Sequence, residues 1–173
     1  MYIHVKLGVA NLVKPPDSPF DLQGVAYCGC FNLRRTARAV TRFYDQAFQD
    51  CGLRSTQFSI LVAVAKTQPT SIGDLADLMI IDSTTLTRSL GRLQKEGVLT
   101  VSPRGAKRQR FINLTPKGEK LIADSLPAWR VAHERFVQAL SAEHWTTLRT
   151  DLERIARLTI DLEASAKTTN QAA

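Results

Sequence analysis

The hydrophobic pattern of this chain is most legible between residues 82 and 114. Leu86, Leu90 and Leu93 recur at steps of four and three, one apolar face of a helix. Asp82 and Ser83 precede that run as good N-cap types, and Gly97 follows as a stop. The other face carries Thr84, Thr85, Thr87, Arg88, Arg92 and Lys95. Two short runs of strand formers come next, at residues 98–101 and 110–114, and Pro103 and Gly105 mark a turn between them. The order helix, strand, loop, strand predicts a hairpin wing behind a helix.

The same reading extends outward in both directions. Over residues 27–51, Phe31, Ala39, Val40, Phe43, Ala47 and Phe48 fall near helical spacing, which predicts a long helix ended by Gly52. Ser55 is expected to cap a second helix that buries Phe58, Ile60, Leu61, Val64 and Ala65 and stops at Pro69. Residues 71–79 predict a short helix with Ile72, Leu75, Ala76 and Met79 inward. A tight link at Ile80-Ile81 then leads into the helix at 83, which makes a helix-turn-helix.

Beyond the wing, Thr115 caps another helix with Pro116 at its first position. It should run to about Leu140, with a kink near Pro127. Ser141 caps the last helix, in which Trp145, Leu148, Leu152, Ile155, Thr159 and Leu162 follow at alternating steps of three and four. That is the seam of helices that pair. Terminal helices outside a small winged domain have little of their own chain to bury against, so a homodimer is expected. The fold class is therefore mainly α with a small β-hairpin wing: a winged helix-turn-helix over about 53–118, flanked by dimerisation helices over about 27–51 and 119–165. Pro15, Pro16 and Pro19 make residues 1–26 a flexible arm, and 166–173 a frayed tail.

Charge sharpens the functional reading. The chain carries a net +7, and residues 82–118 alone hold +6 of it, from eight Lys or Arg against Asp82 and Glu96. A positive excess confined to one helix and one hairpin is what a phosphate-binding footprint requires. A solvated basic face without a partner is the plainer alternative for a lone charge run; here the Ser/Thr/Arg helix beside a basic hairpin favours nucleic acid, while on charge alone DNA, RNA and an acidic membrane surface all remain open. No apolar run approaches the length of a membrane span. No leader peptide is read in the first residues, and a cytoplasmic location is expected. Three cysteines, Cys28, Cys30 and Cys51, fit reduced thiols better than a disulfide framework. There is no phosphate loop, nucleophile elbow or metal-ligand spacing, and His4, His133 and His144 are scattered. An enzyme, a cofactor and a metal are not expected.

In their order, these elements and the phrases STTLTRSLGRLQKEGVL and RFINLTPKG resemble the MarR family of bacterial transcriptional regulators over about residues 28–165. Thr85-Leu86-Thr87-Arg88 matches the family's recognition helix, and Leu114-Thr115-Pro116-Lys117-Gly118 its segment after the wing. Arg108 falls on the family's wing arginine, while Ala106 stands where an aspartate is usual. The resemblance implies a homodimer with each recognition helix in a major groove, reading a near-palindromic operator and acting most simply as a repressor. Ser83, Thr84, Thr85, Thr87, Arg88 and Arg92 are the recognition-helix candidates, and Arg104, Lys107, Arg108 and Arg110 the wing candidates. Arginine can bond bidentately to guanine, and threonine can contact a thymine methyl. Most of these side chains would touch phosphate and set register.

The family's common switch is a small, often aromatic effector; Phe31, Phe43, Tyr44 and Trp129 are candidates to line its pocket or to be plain core. The tract Cys30-Phe31-Asn32-Leu33 with Tyr44 also resembles the peroxide-sensing OhrR branch, which makes Cys30 and Tyr44 redox candidates. In that branch Arg34 and Ser55 are usually tyrosines. A winged helix used for nonspecific DNA binding or for protein contacts is the third reading.

Overall fold

The computed structural model describes residues 27–103 and 110–171. Six helices and three strands follow one another as α1 (Gly29–Ala47), α2 (Ser55–Thr67), β1 (Thr70–Ser71), α3 (Ile72–Met79), α4 (Ser83–Lys95), β2 (Leu99–Pro103), β3 (Arg110–Leu114), α5 (Pro116–Leu140) and α6 (Ala142–Gln171). The expected single helix over 27–51 is in fact shorter: α1 ends at Ala47, and a separate 3-10 turn, Gln49–Cys51, follows it and is closed by Gly52 in the left-handed region. The last helix continues to Gln171, past the point at which the sequence pattern ends it.

One core serves the winged lobe. Leu61, Val64, Leu75, Leu86, Leu90, Leu93, Val98, Leu99 and Ile112 are all essentially sealed from solvent. They come from α2, α3, α4, the hairpin and, for Val98, the turn that leads into β2. Phe48, at the end of α1, joins this core by stacking obliquely on Phe58 at 4.7 Å. The rest of α1 buries nothing fully, including Phe31 and Phe43.

The sheet has the order β1-β3-β2 and is antiparallel throughout. Val101 faces Ile112, and Pro103 faces Arg110 at the outer end of the hairpin. β1 was not legible in the sequence. Thr70 and Ser71 show no alternation long enough to read, yet they pair with Ile112 and Phe111 and become a third strand.

The helix starts show how local chemistry fixes the elements. Ser71 Oγ accepts from the Asp74 N–H at 3.0 Å and donates to Asp74 Oδ2 at 2.7 Å, closing the first turn of α3. Thr115 Oγ1 accepts from the Gly118 N–H, as expected of a cap. The expectation for Ser55 fails: Arg54 occupies the cap position of α2, and Ser55 is the first helical residue. Both the backbone N–H and the hydroxyl of Ser55 donate to Asp45 Oδ1 at 2.7 Å. A carboxylate from α1 thus does the capping that a local hydroxyl was expected to do. This is a contact between elements that spacing alone does not reveal.

α5 crosses the lobe on its small residues. Gly118, Ser125 and Ala132, seven apart, are its buried positions. A Cβ on Gly118 would sit 1.9 Å from the Val98 carbonyl oxygen, so only glycine allows the helix to start this close to β2. The helix runs on through Pro127. No helix among the described residues is long and apolar enough to cross a membrane.

Candidate nucleic-acid interface

The site is built on α4. Asp82 precedes it, and its Oδ1 accepts the N–H groups of Thr84 and Thr85 at 3.0 Å each. These bonds, the Thr85 N–H foremost, hold the Asp82 carboxyl below the ordinary carboxylate range. The cap fixes the N-terminal end of α4. Leu86, Leu90 and Leu93 then bind the inner face to the core, which leaves Ser83, Thr84, Thr85, Thr87, Arg88 and Arg92 exposed on the outer side. Thr84, Thr87, Arg88 and Arg92 fall on one outward stripe at helical spacing.

The hydrogen-bonding state of that stripe limits what each group can do. Thr87 Oγ1 donates to the Ser83 carbonyl at 2.7 Å, so toward a ligand Thr87 offers its methyl group and oxygen lone pairs. Ser89 is spent on the Thr85 carbonyl in the same way. Arg88 and Arg92 take part in neither of the two ion pairs found among the described residues, Arg54–Asp45 and Lys120–Asp124. Their positive charge is uncompensated by such a pair, as phosphate or guanine recognition requires.

The wing stands beside this helix. Arg110 is exposed at the outer end of β3, opposite Pro103. The candidates Arg104, Lys107 and Arg108 lie outside the described residues. Lys117, counted in the basic segment, is committed elsewhere. Its Nζ donates to the Glu96 carbonyl at 2.7 Å and ties the end of α4 to the start of α5.

Away from α4, residues of α1, α2 and α5 line a cleft of about 280 Å³ that is open to solvent: Val40, Thr41, Tyr44, Phe48, Ser55, Thr56, Phe58, Ser59 and Trp129. Of the four aromatic candidates for an effector pocket, Tyr44 and Trp129 are brought here. Phe43 lines a separate groove with Pro127, Val131 and Arg135, and Phe31 lines neither. Burial raises the Tyr44 phenol above its ordinary pKa, and its hydroxyl is 3.1 Å from His133 Nδ1. His133 stacks on Trp129 at 4.8 Å and meets the edge of Trp145 at 5.9 Å. The hydroxyl-rich lining and His133 escaped the sequence reading. They come from three helices at unrelated spacings, and only the packing collects them.

The two redox candidates are not brought together within the chain. Cys30 is exposed in the first turn of α1, with exposed Cys28 two residues before it. Tyr44 lies fourteen residues further along the same helix, about 21 Å away at the helical rise. Among the described residues no group of His, Cys, Asp and Glu is arranged to hold a metal ion.

A three-stranded sheet and a helix-turn-helix with an outward Thr/Arg stripe define a winged-helix DNA-binding protein. The model of the MarR family matches residues 53–106. Transcriptional regulator HosA of Escherichia coli O157:H7 is 30% identical over 92 residues, which is 53% of this chain and 68% of HosA. The crystal structure of M. tuberculosis transcriptional regulator MosR in complex with DNA superposes with a TM-score of 0.71 at 29% identity, covering 76% of this chain and 96% of that one. The fold is shared with a variant of E. coli MarR complexed with operator DNA, at a TM-score of 0.70 and 20% identity over 79% and 99% of the two chains. The chain belongs to the MarR family and is a DNA-binding transcriptional regulator.

Proposed function

We propose that two copies of this chain bind a near-palindromic operator on double-stranded DNA, and that a small molecule seated in the cleft of α1, α2 and α5 releases it. The observation that carries the DNA reading is the capped outward stripe of α4, with Arg88 and Arg92 outside the ion pairs found among the described residues and beside the wing. The candidate contacts are Ser83, Thr84, Thr85, Thr87, Arg88 and Arg92 on the helix and Arg104, Lys107, Arg108 and Arg110 on the wing. The N-terminal residues of such a helix reach base edges, and the arginines hold phosphate or guanine.

The dimer reading rests on α6. Leu148, Leu152, Ile155 and Leu162 stay 37–61% exposed along one face of a 30-residue helix. From Leu148 to Thr168 only Ala156 is even half-buried. A stripe of that length is solvated in one copy and buried when two copies pair. The effector reading rests on the aromatic-floored cleft between α1, α2 and α5, whose walls join the pairing helices to the DNA-binding lobe. An effector acts here by binding the DNA-incompetent arrangement of the dimer more tightly than the competent one.

The test is a titration of the protein on its own upstream intergenic DNA and on a scrambled control at two salt concentrations. A specific regulator prefers its operator by ~10³ or more. Arg88→Ala should weaken binding and reduce the magnitude of the salt slope by roughly one. A ratio near one at every salt would point instead to a nonspecific binder. The exposure of Cys30 favours one second reading, in which an organic peroxide oxidises its thiol to a sulfenic acid, a second thiol (of the protein or a small molecule) condenses with it to a disulfide or mixed disulfide with loss of water, and DNA is released. Operator binding that is lost with a mild organic peroxide, restored by thiol and indifferent to peroxide in Cys30→Ser would establish it.

A further inference from the structure

Gly91 has no reason inside the described fold to be glycine. It sits in the interior of α4, where glycine costs more backbone entropy than alanine. Gly52 and Gly97 have the positive φ that glycine serves, and Gly91 does not. Gly118 is fixed by the Val98 carbonyl oxygen, whereas a Cβ on Gly91 would meet nothing within 4 Å. What requires a bare backbone at this point therefore approaches from outside.

The surroundings of Gly91 say what approaches. α4 turns Leu86, Leu90 and Leu93 to the core, and Gly91 lies away from that face, two turns beyond Thr84 in the same row. Its neighbours one turn back are Thr87 and Arg88, and one turn on are Gln94 and Lys95, all exposed. Neither Arg88 nor Lys95 takes part in an ion pair among the described residues. Two uncompensated cations thus flank a length of helix with no side chain. They stand about 10.5 Å apart along the axis at the helical rise, a separation that two long side chains can close over one anion. An anion oxygen can then approach the Gly91 Cα–H to the roughly 3.3–3.6 Å of a Cα–H···O contact. A methyl group would stand about 1.5 Å further out and hold the anion off. A base edge gains nothing here, because glycine offers it no side-chain donor or acceptor.

We infer that Gly91 seats one backbone phosphate of the operator between Arg88 and Lys95, so that Gly91 and Lys95 extend the DNA interface into the C-terminal half of α4. This rests on the proposal that the outward stripe of α4 is that interface. The seat sets how closely α4 lies against the duplex. It is a positioning contact, and it carries no sequence information of its own.

The experiment is a fluorescence-anisotropy titration of the full-length protein on its own upstream intergenic duplex and on a scrambled duplex at two salt concentrations. The parent is compared with Gly91→Ala, Lys95→Ala and Arg88→Ala, and the thermal unfolding of each is recorded. Gly91→Ala should bind both duplexes at least fivefold more weakly while its Tm holds or rises, since alanine is the better helix former. Lys95→Ala should weaken binding to both and reduce the magnitude of the salt slope by about one. Gly91→Ala binding like the parent while Arg88→Ala is weakened would overturn the seat and leave α4 as the interface. Both variants binding like the parent would overturn the α4 reading and the seat with it. Weakening of Gly91→Ala on the operator alone would put a base edge over Gly91 and overturn the phosphate. A fall in its Tm would overturn the premise that the fold does not need this glycine, and an unchanged salt slope in Lys95→Ala would overturn the clamp.

Discussion

Replacing Gly118 with alanine sets two physical arguments against each other. Gly118 lies in the first turn of α5, and on helix propensity alone alanine there should stabilise by roughly 1 kcal/mol. The packing predicts the reverse. An added Cβ meets the Val98 carbonyl oxygen at 1.9 Å and Leu114 Cδ2 at 3.3 Å. A carbon and an oxygen in contact need about 3.3 Å, so the start of α5 has to move away by about 1.4 Å.

That seam is where α4, β2 and α5 are fastened. Val98 O accepts the Thr115 N–H at 3.2 Å, and Gly97 O accepts Thr115 Oγ1 at 2.7 Å. Overpacking of this kind costs roughly 1–3 kcal/mol, and a hydrogen bond lost at a buried acceptor about as much again. After the propensity gain, a net loss of roughly 2–4 kcal/mol is expected, which for a chain of this length lowers Tm by about 5–15 °C.

The assay is thermal unfolding followed by circular dichroism at fixed protein concentration, since the proposed pairing would couple Tm to concentration. Gly91→Ala is the control. It makes the same change inside α4, where an added Cβ meets nothing within 4 Å, and Tm should hold or rise. A Gly118→Ala protein as stable as the parent would refute the close approach of α5 to β2.

Other expectations follow from single features. Ile80 is a β-branched residue at φ 50° and is 61% exposed in the turn between α3 and α4; Ile80→Asn, which tolerates that conformation, should stabilise by about 1 kcal/mol, and a lower Tm would count against the strain. Leu152→Asp on the exposed seam of α6 should turn a dimer into a monomer by analytical ultracentrifugation at micromolar concentration; an unchanged sedimentation coefficient would place the pairing face elsewhere. Asp45 has its folded pKa lowered by Ser55, so its contribution to stability is present above the ordinary carboxylate pKa and is lost as pH falls through the lowered one. Asp45→Asn should therefore be less stable than the parent at neutral pH, with the gap narrowing below about pH 4; a gap that is constant with pH would assign the loss to packing.

How much of this protein its sequence determined depends on the range of each interaction. The helix-turn-helix, the caps of α4 and α5, and the outward Thr/Arg stripe were legible because each follows from residues within one or two turns of each other. Side-chain period and capping chemistry are local, and Leu86, Leu90 and Leu93 leave α4 only one face to bury. Four features waited for the tertiary structure. Thr70 and Ser71 became a strand only because β3 offered an open edge. Ser55 gave up the expected cap because Asp45 reached it from another helix. Gly118 is explained by a carbonyl twenty residues earlier in the chain, which no local rule anticipates. The hydroxyls of the cleft come together only where α1, α2 and α5 pack. Hydrogen-bond partners across elements are set by packing, and packing is where a one-dimensional pattern stops being informative.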